Sequence, residues 1–160
     1  MTPTLLRRTG RTGLLLCALL TAATFTLSWV EVLGGPHYVG FDIGDIAHQV
    51  SDADSELTLL FLEIAPLPAY VAVLLSPTVG VAAACLLALD RRGPYHGLVA
   101  ALLFGSAVFQ FANVTLMQSR ATAAITVTPV PWGTAAGYLL AGLCVVVAAI
   151  GYSRSHVHGG

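Results

Sequence analysis

The chain has no lysine: all seven of its basic residues are arginine, which fits a GC-rich coding sequence better than a functional choice. Charge of either sign is scarce. Only 9% of its 160 residues are charged, against about 25% in soluble domains. No long, strongly positive stretch exists, so a nucleic-acid surface is excluded. The three cysteines, Cys17, Cys85 and Cys144, form no CxxC pair. Each sits in an apolar run, so they are expected to be small packing residues rather than a disulfide framework or thiol redox site. HExxH, GxSxG, a phosphate loop and a nucleophile–base pair are all missing, which leaves catalysis without a constellation. The expectation is a protein that is not an enzyme and holds no cofactor.

What the chain has instead is apolar length. It is 56% hydrophobic, with a mean hydropathy of +0.82. A hydrocarbon core of about 30 Å is crossed by roughly 20 apolar residues in a helix. Four segments satisfy that length, at about 13–33, 68–89, 97–117 and 133–152. They predict an all-α membrane protein, a four-transmembrane-helix bundle forming a single membrane domain over 1–160. Two outer loops, 34–67 and 118–132, and a tight turn near 90–96 connect them. Trp29, Tyr70 and Trp132 mark one water interface and Tyr95 and Tyr152 the other, as amphipathic rings do. The first segment is read as a retained helix rather than a cleaved signal peptide, because no small-x-small site follows it. No histidine lies within a span; His96 stands only at an edge, so the axial ligands of a buried haem are missing and no haem is expected.

The few charges are partitioned. Arg7, Arg8, Arg11, Arg91, Arg92 and Arg154 flank one side of the apolar segments. Glu31, Asp42, Asp45, Asp52, Asp54, Glu56 and Glu63 all fall between the first segment and the second. Positive charge is retained on the cytoplasmic side. The expected arrangement is therefore a multi-pass protein of a bacterial plasma membrane with both termini cytoplasmic and an acidic outer loop.

Small residues spaced by four align on one helix face and permit close backbone approach in lipid. Such stripes are Gly97, Ala101 and Gly105 in the third segment and Gly133, Gly137 and Ala141 in the fourth. They either pack the bundle internally or dock a partner subunit. Gln110 and Asn113, three apart, share a face and are expected to hydrogen-bond another helix.

The outer loop is the unusual part. Residues 34–43 mix turn formers with strand formers, and 124–130 alternate apolar and polar with β-branched residues. These two stretches are expected to pair as a small sheet, with Pro129 and Pro131 confining the second to an edge. Residues 44–64 read as an amphipathic helix with Asp52, Glu56 and Glu63 on one face. Together they would form a small extracellular lid. Glu63 is placed at the interface, since Pro66 and Pro68 interrupt the run just after it; the alternative carries it into the bilayer, where a carboxylate is usually functional. Asp52, Asp54, Glu56 and His48, with Asp42, Asp45 and His37 nearby, supply oxygen and imidazole groups. The order of an EF-hand is missing, so a solvated acidic loop is the expectation and these residues are weak metal candidates.

The first helix ending at Trp29, the loop Gly40-Phe41-Asp42-Ile43-Gly44 and the Asp90-Arg91-Arg92 turn resemble small four-helix membrane proteins common in actinobacteria. The arrangement also looks like claudin-type tetraspans, but their tryptophan cluster and cysteine pair are missing, so no residue role carries over. The resemblance implies topology and bacterial origin. The functional expectation is a non-catalytic polytopic subunit or scaffold of a larger cell-envelope complex. Its contacts would be the bilayer and other membrane subunits, reached through the acidic lid, the small-residue faces, Gln110, Asn113 and Glu63. The alternative is a small transport or cation-sensing membrane protein with the acidic loop as collector.

Overall fold

The computed structural model describes residues 2–40, 42, 95–119, 121, 123 and 125–157. Among these the chain is mostly helical. The elements are α1 (Pro3–Thr24), β1 (Ser28–Val32), β2 (His37–Val39), α2 (Tyr95–Ser119), β3 (Ile125–Val127) and α3 (Val130–Val157). α2 and the Val130–Ser153 part of α3 are long and apolar enough to cross a membrane. Four spanning helices are not seen: there are three helices among the described residues, and the expected 68–89 span and the amphipathic helix at 44–64 lie outside them.

The expected first span, 13–33, requires correction. The helix starts earlier, at Pro3, where proline's fixed φ suits a first helical turn. It also ends earlier, at Thr24, and residues 28–32 are strand. The cause is local. Thr24 and Thr26 turn their hydroxyls back onto the carbonyls of Thr21 and Ala23, a competing bond that weakens helix continuation. Trp29 Nε1 then donates to the Thr24 carbonyl at 2.8 Å, satisfying one of the acceptors that a helix end leaves open. The β-branched Val30 and Val32 suit the strand that follows.

That strand is the centre of a three-stranded antiparallel sheet of order β2-β1-β3. The sheet differs from the expected pairing: residues 34–43 and 124–130 do not pair with each other, because β1 lies between them. Val30 opposes Val127 and Glu31 opposes Thr126 on one side, while Glu31 opposes His37 on the other. Gly34, at φ +71, makes the β1–β2 turn in the left-handed conformation that glycine adopts without penalty. A register shift between Ser28 and Val30 lets two sequence neighbours, Trp29 and Val30, both be buried, which regular alternation forbids. β3 is an edge strand, and Pro129 follows it after Thr128.

Among the described residues α3 is the central helix. It packs along α1 on one side and along α2 on the other. Leu14 of α1, Leu103 and Ala107 of α2, and Tyr138, Ala141 and Val145 of α3 share one apolar cluster. Phe25, Trp29, Val30 and Met117 form a second cluster beneath the sheet. α1 and α2 both run toward the sheet, and α3 runs away from it.

Candidate functional site

Three groupings of side chains can be built from these elements. The first is the seam between α1 and α3. Gly10 and Gly13 bring α1 so close that a Cβ at Gly10 would lie 2.7 Å from the backbone of Cys144 and Ala148, and one at Gly13 2.7 Å from Cys144 Sγ. Farther along, Gly137 faces the Thr21 side chain with no room for a Cβ. The seam ends in a polar joint: Thr24 and Thr134, whose hydroxyl oxygens lie 2.7 Å apart. Thr134 is fully buried, and the Thr21 hydroxyl is buried with no hydrogen-bond partner among the described residues.

The second grouping caps the end opposite the sheet. The Arg7 guanidinium carbon lies 5.1 Å from the centre of the Tyr152 ring, a cation–π geometry. The His96 ring lies 5.1 Å from the same ring. The start of α1, the start of α2 and the end of α3 therefore meet in one place.

The third is the outward face of α2. Gly97, Ala101 and Gly105 are all exposed on it, and a Cβ at Gly97 or Gly105 would meet nothing within 4 Å. Leu98, Leu102 and Val108 are exposed alongside them, Val108 at 69%. The apolar side chains give this face the character of a lipid- or protein-facing surface rather than a water-facing one.

The expected interaction residues thus divide. The stripe of α2 is the outward face just described. In α3, Gly137 is an internal contact to Thr21 and Ala141 is buried in the core. Gly133 is exposed with nothing within 4 Å of its Cβ position. Gln110 is buried at 4% exposure, in register with Leu103, Ala107 and Val114, the buried stripe of α2; Asn113 is half-buried beside it. Glu63 and the weak metal candidates His48, Asp52, Asp54 and Glu56 lie outside the described residues. Among the described residues no group of three or more His, Cys, Asp or Glu side chains is close enough to hold a metal ion. His37 Nδ1 and Glu31 Oε1 lie 3.8 Å apart on the exposed side of the hairpin.

Sequence reasoning missed Gly10 and Gly13, the threonine pair and the Arg7–Tyr152–His96 cap. Gly10 and Gly13 precede the expected span or open it, and their spacing of three was the available signal. The threonine pair had none, because its members are joined only by the fold.

No protein-family model matches the chain, and neither curated proteins nor solved structures give a match.

Proposed function

We propose that this chain is a non-catalytic, multi-pass subunit or scaffold of a larger cell-envelope complex in a bacterial plasma membrane. The observation that carries this reading is the outward face of α2. Gly97, Ala101 and Gly105 stand in a row with nothing opposite the two glycines, on a helix apolar enough to span. In lipid, small-residue rows gain their value by letting another helix approach closely. Among the described residues, the small residues of the seam between α1 and α3 already have such a partner, whereas the row on α2 faces open space and can take a second subunit. The sheet and acidic loop would form the outer part of the same interface.

A four-span topology with both termini cytoplasmic, as in the small actinobacterial proteins that the chain resembles, accompanies this reading. Asp42 accepts a hydrogen bond from the amide of Val39 in the sheet, whereas Tyr95 begins α2 at the arginine end. A chain that leaves one end and re-enters at the other needs a return crossing between them. The apolar stretch 68–89 supplies one. Arginines concentrated at the end where α1 begins make that end cytoplasmic.

The test is copurification of the full-length chain from its native membrane in mild detergent, followed by mass spectrometry. A stoichiometric membrane partner that is lost on Gly105→Leu, while the chain stays folded and inserted, supports the proposal. Purification as a lone chain, or a partner indifferent to Gly105→Leu, overturns it.

A further inference from the structure

α1 carries three arginines within five residues, Arg7, Arg8 and Arg11, and the chain up to Val30 holds no acid. The first two part company around the helix. Arg7 lies over Tyr152 of α3 and is in register with the buried Leu14, Ala18 and Phe25. Arg8, about 100° further round, is exposed and heads a different column. Thr12, Leu15 and Leu19 follow it at spacings of four, seven and eleven, all of them exposed. Leu16 and Leu20 widen that face, and these four leucines each keep more than half of their surface exposed.

Contacts with α3 fix the height of each part. Arg7 is level with Tyr152, the last residue but one of the apolar stretch Val130–Ser153. Gly13 meets Cys144 and Thr21 meets Gly137, so the leucines lie level with the middle of that stretch. Arg8 therefore stands where the hydrocarbon would end, and Leu15 and Leu19 lie about 10.5 and 16.5 Å deeper along the axis. Among the described residues the acids are Glu31 and Asp42, both at the sheet end.

We propose that this face of α1 binds an anionic glycerophospholipid, with the phosphate against Arg8 and an acyl chain along Leu15 and Leu19. The proposal rests on the membrane-spanning reading of α2 and α3. A guanidinium offers a fork of N–H donors that matches a phosphate, and its stem lies on apolar surface while its head reaches the interface. Arg11, three residues on, adds its charge beside the same headgroup. A second helix is the poorer occupant, because a face of leucines holds another backbone away where the small-residue row of α2 would admit it.

The full-length chain is reconstituted in phosphatidylcholine bilayers and first shown to float with them, which tests the spanning reading alone. It is then placed in bilayers with a minor share of phosphatidylglycerol or of phosphatidylcholine bearing a diazirine in one acyl chain. After irradiation the adducts are located by mass spectrometry. The expected adducts fall at residues 15–20, with phosphatidylglycerol giving roughly five-fold more than phosphatidylcholine, the preference that one arginine at the surface supplies. Arg8→Gln should bring the two yields near parity, and Arg8→Lys, which keeps the charge, should restore part of the difference. Arg7→Gln removes the same charge one residue away, from the seam, and should keep the preference. Floating without a headgroup preference overturns this proposal and leaves the spanning reading standing. So do adducts that avoid residues 15–20, as when another helix covers the face, or an equal loss of preference in Arg7→Gln and Arg8→Gln. Failure to float overturns the spanning reading and this proposal together.

Discussion

The hydroxyl oxygens of Thr24 and Thr134, from the last turn of α1 and the first turns of α3, lie 2.7 Å apart. Each is also within hydrogen-bonding distance of a carbonyl on its own helix, Thr24 of Thr21 at 2.6 Å and Thr134 of Val130 at 3.2 Å. A hydroxyl has one proton to donate. Either Thr134 donates to Thr24 and Thr24 to its carbonyl, or the order reverses. The pair therefore has two hydrogen-bond arrangements without moving a heavy atom, the one ending on the Thr21 carbonyl having the shorter bond. Thr134→Val keeps the shape and removes the second hydroxyl. It should destabilise the fold by about 1 kcal/mol, read as a lowered midpoint in denaturant unfolding in detergent. Thr24→Val together with Thr134→Val should cost less than the sum of the two single changes.

Gly137 and Gly105 should separate under the same substitution. Leucine at Gly137 collides with Thr21 and must push α1 from α3, which should destabilise the chain by roughly 1–3 kcal/mol. Leucine at Gly105 meets nothing within 4 Å and should change the stability of the isolated chain by no more than about 0.5 kcal/mol. Thermal unfolding of the two purified variants side by side checks this. Equal effects would remove the distinction between an internal and an outward stripe.

Orientation can be read with single-cysteine probes on a cysteine-free background. A probe beside Asp54 should react with a membrane-impermeant reagent in intact cells, and one beside Arg92 only after permeabilisation. Labelling of the Arg92 site in intact cells would reverse the proposed topology.

Replacing Asp52, Asp54 and Glu56 by Asn or Gln should leave insertion unchanged if these acids do no more than solvate the outer loop. The melting temperature should then be insensitive to calcium and zinc. A rise with either ion in the unaltered chain, lost in the variant, would instead make the loop a ligand site, because a ligand bound only by the folded state stabilises it by mass action.

The two long apolar helices were legible in the sequence because their runs exceed what a soluble strand or short helix uses, and because no charged residue interrupts Tyr95–Ser119 or Val130–Ser153. The end of α1 was not. Its apolar run continues through Trp29, Val30 and Val32, and a buried strand has the same hydropathy as a buried helix. No glycine or proline lies between Thr24 and Val32 to mark the change. The outer sheet was legible as a sheet, from alternation near residues 124–130, but its middle strand was hidden inside the supposed helix and so its pairing was misread. Of the small-residue rows, spacing alone could not separate Gly137, which meets Thr21, from Gly105, which meets nothing. The seat of Cys144 over Gly13 depends on which faces of two distant helices meet, and the pattern of one helix carries no information about that.

α1 and α3 are tied to each other at three levels. At one end β1 and β3 are hydrogen-bonded strands, and Thr128 adds its amide to the Trp29 carbonyl and its hydroxyl to that of Ser28. In the middle the glycines admit Cys144, and at the far end Arg7 covers Tyr152. A slide or tilt of one helix along the other would break contacts at all three levels together. Among the described residues α2 meets α3 through an apolar seam and ring contacts, His96 with Tyr152 and Phe111 with Trp132, and meets α1 little. In mechanical terms the described residues make a stiff two-helix beam with a third helix laid along it. If a neighbouring subunit docks on the outward glycines of α2 as proposed, a displacement of α2 against that beam is a motion it would feel directly.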